Sequence, residues 1–205
     1  AAIINSLPTA NNRTYDGSTQ NLLLTAGTCA HGTVKYREGT TGEYTTTIPQ
    51  KKDAGTYSVY YMSVGNEGFE DFIAAEPITV TIAPAPVTVT AEDKTKEYGE
   101  TGPSLTATIT GLIPGESESL IDYTISRATG QDVGNYTITP AGDASQGNYA
   151  VSFVTGKLTI SKKTVVIEWS EPYTFYYDGT PHAPTATATG LVYGDVISVT
   201  VTGEQ

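Results

Sequence analysis

The sequence predicts a mainly β protein made of small antiparallel modules in tandem, and three observations support this. Thr and Tyr are abundant, and both residue types favour strands. The 205 residues include 21 Gly and 11 Pro, a density that is typical of many short strands joined by turns. Several short motifs also recur at a fixed spacing of 79 residues, which indicates an internal repeat of domain size.

The repeat is carried by four short segments of different composition. Their copies, each 79 residues apart, are Tyr98-Gly99 and Tyr177-Asp178-Gly179, residues 106–112 and 185–191, Gly115-Glu116 and Gly194-Asp195, and the Asp-x-Gly-x-Tyr segments at 53–57 and 132–136. An earlier copy of the first segment is Tyr15-Asp16-Gly17. One spacing shared by unrelated segments is not expected from chance, so we interpret the chain as a tandem array.

The spacing divides the chain into three β repeat modules. They cover residues 1–85 (a divergent copy), 86–161 and 162–205 (a partial copy). The seams between modules are only three or four residues long, and the first contains two prolines, which stiffen a linker. The third module lacks its own Asp-x-Gly-x-Tyr segment and closing strand, so we expect an exposed sheet edge and the least order there.

Within a module, apolar residues alternate with period two, as they do in half-buried strands. Only residues 116–120, after Pro114-Gly115, favour a turn or two of helix. Two frameworks fit this pattern: a β-grasp-like sheet covered by a short helix, or an immunoglobulin-like β-sandwich. The Asp-x-Gly-x-Tyr segment favours the second, because immunoglobulin-like domains use such a tyrosine to tie down neighbouring backbone.

The combined motifs resemble those of one known family. Tyr-Gly-x or Tyr-Asp-Gly, then Thr-Gly-Leu, Asp-x-Gly-x-Tyr, Asn148-Tyr149 and residues 156–160 are similar to the tandem MBG-type repeats (YGX and YDG types) of bacterial cell-surface adhesin-like proteins. The resemblance covers module two and the front half of module three, and it is looser over residues 25–52. It implies a β-grasp-like fold, an extracellular or cell-surface location and a role in adhesion or as a stalk. It brings no catalytic residues.

The charge balance excludes several classes of partner. The formal net charge is -11, with 22 acidic against 11 basic residues. A nucleic-acid surface needs clustered Lys and Arg, and an anionic membrane surface would repel this chain. No apolar run approaches the roughly 18 residues of a membrane span. We therefore expect no nucleic-acid partner and no membrane insertion within this chain.

Catalytic and metal-binding patterns are absent from the sequence. The two histidines, His31 and His182, lie in different modules, and neither belongs to a zinc-ligand pattern. Cys29 lies two residues from His31, and we interpret the two as loop residues rather than as a nucleophile and its base. The acidic residues 67–76 are interpreted as a solvated loop rather than a calcium site. We therefore predict a non-enzymatic protein without cofactor or metal.

Aromatic residues are the best candidates for ligand binding. Tyr173, Tyr176 and Tyr60 lie in alternating strands, where one member of each neighbouring pair faces outward and could stack on a sugar ring. Tyr15 and Tyr177 are instead expected to pack onto their own modules beside tight turns. The acidic residues 116–118 are expected to be exposed.

Three functional hypotheses remain at this point. The first is a structural stalk or spacer of a bacterial surface or secreted protein that acts in cell adhesion. The second is a module that itself binds host glycoprotein, mucin or glycan. The third is an accessory domain of a secreted carbohydrate-active enzyme. In each case the neighbouring repeats of the same parent protein are expected partners.

Overall fold

A computed structural model describes residues 4–171, 174 and 176–202. The chain forms two compact units, which the backbone visits in turn. The first unit comprises Ala1–Thr90, Ala107–Thr124 and Pro140–Val154, and the second comprises Ala91–Thr106, Ile125–Thr139 and Thr155–Gln205. The first unit thus contains strands from both sides of the seam near residue 85. The module boundaries at 85 and 161 describe the sequence repeat and stay a prediction.

Strands make up almost all of the regular structure. Those up to the first seam are β1 Ile4–Ser6, β2 Thr9–Ala10, β3 Arg13–Thr14, β4 Gln20–Asn21, β5 Leu23–Thr25, β6 Thr28–Cys29, β7 Gly32–Glu38, β8 Gln50–Lys51, β9 Gly55–Gly65, β10 Phe72–Ile73 and β11 Ile78–Ala83. Those after it are β12 Ala85–Ala91, β13 Lys94–Glu97, β14 Ala107–Thr110, β15 Thr124–Arg127, β16 Gly134–Ala141, β17 Ser145–Gln146, β18 Tyr149–Val154, β19 Gly156–Ser161, β20 Val166–Trp169 and β21 Ala186–Thr189. The prediction of a mainly β protein is confirmed.

Helical structure in the described residues is limited to one 3-10 turn, Glu118–Leu120. It begins at Ser117, whose hydroxyl accepts a hydrogen bond from the Ser119 amide, as an N-cap residue does. This turn falls inside the segment for which the sequence favoured a short helix. The part of the chain described by the structure has no α-helix that could cover a sheet in the manner of a β-grasp fold.

Two larger sheets build the first unit. One has the order β10-β9-β11-β3, and β7 also pairs with β9; the other has the order β14-β12-β18-β17. On β9 the side chains of Val59, Tyr61 and Ser63 are buried, while the residues between them are partly exposed. This is the period-two pattern that the sequence predicted for a strand with one buried face.

The second unit contains a four-stranded sheet of order β13-β19-β16-β15 and the two-stranded sheet β20-β21. On β20 the large apolar side chains of Val166, Ile167 and Trp169 are all exposed. These side chains leave apolar surface uncovered on β20, and the assignment of residues 162–205 to a partial module stays a prediction.

Three strand pairs among the described residues are parallel, although the sequence favoured antiparallel modules. These pairs are β3 with β11, β12 with β18, and β13 with β19. Each pairs a strand from the first part of a predicted module with a strand from its last part, and the two lie far apart along the chain. A parallel pair cannot be closed by a hairpin and needs a long connection, and here the rest of the module supplies it.

One apolar core in the first unit crosses the sequence seam. It includes Val59, Val80 and Ile82 from before the seam and Val87 and Val151 from after it. Full burial of such a side chain contributes about 1.5–3 kcal/mol. Since these side chains pack in one cluster, the two flanking segments stabilise each other. A smaller cluster of Ala91, Ile138, Leu158 and Ile160 lies in the second unit.

The shared core predicts that the segments before and after the seam unfold together. Ile82→Ala should lower the free energy of opening by about 2–5 kcal/mol because it leaves a cavity in the cluster. Native-state hydrogen exchange should record the same loss for amides of β9 and of β18. The control is Thr81→Ala, on the exposed side of the same strand. Loss of protection in β9 alone would contradict a shared core.

Candidate functional site

The residues of the repeated motifs converge at a junction inside the first unit. Tyr15 follows β3 directly, and its amide donates to the carbonyl of Ala83 at the end of β11 (2.8 Å). This bond continues the parallel pairing of β3 and β11 by one residue and turns the Tyr15 ring inward. Only 4% of Tyr15 is exposed, so the tyrosine is packed as predicted, but its side chain contacts Glu116 and Tyr149 after the seam rather than its own module alone.

Glu116 lies opposite Tyr15, at the end of a tight turn. The Glu116 amide donates to the carbonyl of Ile113 (3.0 Å), with Pro114 and a positive-φ Gly115 between them. Pro followed by such a glycine is the signature of a type II turn. One carboxylate oxygen of Glu116 accepts a hydrogen bond from the Tyr15 hydroxyl, and the other accepts one from the Tyr149 hydroxyl.

The two tyrosine rings and one glycine complete the packing of the junction. The rings of Tyr15 and Tyr149 meet edge to face, with centroids 5.7 Å apart, a favourable arrangement for aromatic pairs. The Tyr149 hydroxyl also accepts a hydrogen bond from the Ile113 amide (3.1 Å). A Cβ on Gly17 would lie 2.9 Å from Cγ2 of Ile113, and its φ of +77° is also one that L side chains rarely adopt. A side chain at position 17 would therefore disturb the contact.

Asn148 ties a second motif into the same junction. Its Oδ1 accepts a hydrogen bond from the Ala54 amide (2.8 Å), and its Nδ2 donates to the Asp53 carboxylate (3.0 Å). Asp53 and Ala54 begin the first Asp-x-Gly-x-Tyr segment. In both copies of this segment the tyrosine hydroxyl donates to the carbonyl of the motif's own aspartate, Tyr57 to Asp53 (2.7 Å) and Tyr136 to Asp132 (2.9 Å).

The hydrogen bonds set the protonation of the junction. The bond to Glu116, with burial as the second cause, raises the pKa of Tyr15 from 10.0 to about 12. Burial, and then the bond to Glu116, raises the pKa of Tyr149. The two tyrosine hydroxyls hold the pKa of Glu116 below its ordinary value. At neutral pH the junction therefore contains a carboxylate that accepts from two neutral phenols.

The same arrangement recurs in the second unit at Tyr98. Its amide donates to the carbonyl of Ser161 at the end of β19 (2.9 Å), and a Cβ on Gly99 would lie 2.5 Å from Cγ2 of Val192. The Asp195 amide closes a turn onto the Val192 carbonyl (3.0 Å). A hydrogen bond to Asp195 raises the pKa of Tyr98.

The second junction differs from the first in its ring partner. Tyr193 meets the Tyr98 ring edge to face with centroids 5.5 Å apart, the role that Tyr149 has in the first. Tyr193 has a φ of 57°, a strained value for a residue with a side chain. The second junction thus keeps the arrangement of a tyrosine, a glycine, an aliphatic residue and an acid. The aromatic ring that packs against the tyrosine comes from a different position in the motif.

Two sequence interpretations require correction at these junctions. Glu116 was expected to be an exposed acid, and it is instead the shared acceptor of two buried tyrosines. Tyr177 was expected to pack onto its module, and it is 98% exposed. The missed signal was the repeat of Gly115-Glu116 as Gly194-Asp195, since an acid retained after a glycine indicates a shared role.

The three predicted ligand-binding tyrosines have different surroundings. Tyr176 is 97% exposed and lies in the second unit. Tyr60 is half-buried in the first unit, and the Arg37 guanidinium lies over its ring at 5.3 Å from the centroid. Tyr173 lies outside the described residues. Their role in ligand binding stays a prediction.

Cys29 and His31 contact different partners in the first unit. The Cys29 sulfur lies 3.0 Å from the Ser63 hydroxyl, which donates to it. The His31 ring stacks on Phe69 with centroids 4.3 Å apart. Among the described residues, no group of three or more His, Cys, Asp or Glu side chains is placed to hold a metal ion. The described residues also contain no helix long and apolar enough to cross a membrane.

Comparison with known proteins finds a match for the central part of the chain. Residues 87–159 match the family model of the MBG domain (YGX type). The resemblance seen in the sequence of module two is thereby confirmed, and MBG domains are repeat domains of surface-type proteins. No curated protein and no solved structure matches the chain. The matched MBG segment contains Glu116, Asn148 and Tyr149 from the first junction and Tyr98 from the second.

The junction predicts a loss of stability at both ends of the pH range. Because the folded state raises the pKa of Tyr15 from 10.0 to about 12, its contribution is complete below pH 10 and is lost as pH rises through 12. Because the pKa of Glu116 is lowered, its contribution is lost as pH falls below the ordinary glutamate range. As pH rises above 10, the urea midpoint should fall less steeply in Tyr15→Phe than in the unmodified chain, because the variant has no phenol to ionise at this position.

The matched control for this titration is Tyr176→Phe, which removes a hydroxyl from an almost fully exposed ring. Its urea midpoints should follow those of the unmodified chain at every pH. Glu116→Gln should flatten the acid side of the curve. If the urea midpoints of Tyr15→Phe and of the unmodified chain fall equally steeply at alkaline pH, then the contact with Glu116 does not raise the pKa of Tyr15.

Proposed function

We propose that this chain is a non-enzymatic repeat segment of a bacterial surface or secreted protein, located outside the cell. In this proposal it acts in adhesion as a stalk that holds an adhesive part away from the surface. The observation that carries the proposal is the first junction, in which side chains from both sides of a sequence seam share one core and one hydrogen-bonded carboxylate.

Stiffness is the property a stalk requires, and the junction supplies a physical cause for it. Tyr15 and Asp53 come from before the seam, whereas Glu116, Asn148 and Tyr149 come from after it. Movement about the seam would break the hydrogen bond of the buried Tyr15 hydroxyl to Glu116, and a buried polar group without a partner is costly. The MBG match supports the repeat character, and the net charge of -11 supports solubility.

The stalk proposal predicts a narrow distance distribution across the first seam. Spin labels at Thr33 on β7 and Ala150 on β18, both exposed, report this distance in a Cys29→Ser chain. Pulsed electron paramagnetic resonance should give a narrow distribution. Tyr15→Phe should broaden it, because loss of a hydrogen bond to a charged group costs about 1.5–3 kcal/mol.

A matched pair of labels at Thr33 and Thr81, both before the seam, controls for changes inside one repeat. This pair should keep its width in Tyr15→Phe. A broad distribution between Thr33 and Ala150 in the chain without Tyr15→Phe would overturn the stalk proposal, because the two segments would then move independently despite the junction.

Glycan binding is a second candidate function, and one observation favours it. Tyr176 is 97% exposed, so its ring is open to stack on a sugar. Under this proposal the segment contacts host glycoprotein, mucin or glycan directly rather than only carrying another part that does so.

An array of mucins and glycans tests this second candidate with the full chain. Saturable binding should weaken about tenfold in Tyr176→Ala, the loss expected for one stacking contact. Tyr177→Ala, which removes the equally exposed neighbouring ring, is the matched control and should bind as the unmodified chain does. Equal binding by Tyr176→Ala would remove Tyr176 as a contact residue.

A further inference from the structure

The third copy of the tyrosine motif has the shape of the first but is not covered. In the first copy the Asp16 carboxylate accepts hydrogen bonds from the Ser18 amide (2.9 Å) and hydroxyl (2.6 Å). In the third copy the Asp178 carboxylate accepts equivalent bonds from the Thr180 amide (2.9 Å) and hydroxyl (2.7 Å). The turn is therefore built in the same way in both copies.

The surroundings of the two turns differ completely. Tyr15 is 4% exposed, whereas Tyr177 is 98% exposed. A Cβ on Gly17 would collide with Ile113, whereas a Cβ on Gly179 would meet nothing within 4 Å. Gly179 nevertheless has a φ of +83°, close to the +77° of Gly17. The third turn thus has the conformation of a junction, but no residue in the described part of the chain fills it.

Both filled junctions show what covers such a turn. In each case the covering loop carries an aliphatic residue and, three positions later, an acid whose amide closes a turn back onto it. The pairs are Ile113 with Glu116 and Val192 with Asp195. The aliphatic side chain lies against the glycine, and the acid accepts from the tyrosine hydroxyl.

We infer that the turn of Tyr177, Asp178 and Gly179 is a docking surface for another repeat of this type. The occupant is a loop in which a branched aliphatic residue precedes an acid by three positions. The aliphatic side chain would pack on Gly179, and the carboxylate would accept a hydrogen bond from the Tyr177 hydroxyl. This inference rests on the stalk proposal, because it extends the same junction to a further repeat.

An elongated chain tests the docking surface with a known occupant. Residues 121, 123 and 125 alternate with polar residues as residues 197, 199 and 201 do, so repeating residues 127–205 after residue 202 preserves the period-two alternation of the sequence across the join. The elongated chain contains every described residue of the original and adds a second loop with Val192 and Asp195. Tetranitromethane nitration, mapped by mass spectrometry, then measures how accessible each tyrosine is.

In the original chain Tyr177 and Tyr176 should be nitrated at similar rates, since both are almost fully exposed. In the elongated chain the rate at Tyr177 should fall at least about tenfold while Tyr176 keeps its rate, because a docked side chain reacts only when the contact opens. The matched control carries Asp195→Lys in the appended copy alone. Lysine cannot accept a hydrogen bond, so the rate at Tyr177 should rise again.

Slow nitration of Tyr98 shows that the elongated chain has folded, since Tyr98 has its own junction in the original residues. Equal rates at Tyr177 and Tyr176 in such a folded chain would overturn the docking surface. The stalk proposal fails separately, through a broad spin-label distribution across the first seam. If Tyr177 is protected from nitration but the spin-label distribution is broad, the docking surface is supported and the stiff-stalk proposal is rejected.

Discussion

The junction depends on one carboxylate that two tyrosines share. Glu116 accepts from Tyr15 and Tyr149 through different oxygens, so both phenols and the acid are satisfied at once. Burial of a phenol or a carboxylate without a partner would be unfavourable, and a complete network removes that cost. Because Tyr15 precedes the seam and Glu116 and Tyr149 follow it, neither flanking segment completes the network alone. The seam is therefore stabilised by chemistry that requires both of its sides.

The second unit shows which features of the junction are essential. Asp195 replaces a glutamate, Val192 replaces an isoleucine, and Tyr193 replaces the ring of Tyr149. The parts that stay are a tyrosine after a parallel strand, a positive-φ glycine and a turn that presents an aliphatic residue and an acid. These parts fix backbone geometry and hydrogen-bond direction, whereas side-chain size is adjusted locally. The motifs that define the repeat in sequence therefore describe a contact surface as much as a core.

The sequence predicted local structure well and partners poorly, for a physical reason. Period-two alternation indicates that one face of a strand is buried, as the structure shows at Val59 and Tyr61, but it does not say which strand lies alongside. The parallel pairs of β12 with β18 and β13 with β19 were consequently missed. Glu116 was interpreted as exposed because its tyrosine partners lie 101 and 33 residues away, and nothing in the neighbouring sequence reveals them.

The divergent part of the first repeat now has a structural interpretation. A positive-φ glycine follows the corresponding strand in both repeats, at Gly27 and at Gly111. After Gly111 comes the acidic loop, whereas after Gly27 come Cys29, which contacts Ser63, and His31, which stacks on Phe69. The first repeat thus contains a tyrosine that contacts the following repeat, but its own loop after Gly27 has no acid at the position that corresponds to Glu116. In a junction of this kind one repeat supplies the tyrosine and the next supplies the acid that accepts its hydrogen bond. The divergence over residues 25–52 removes only the acid-bearing loop.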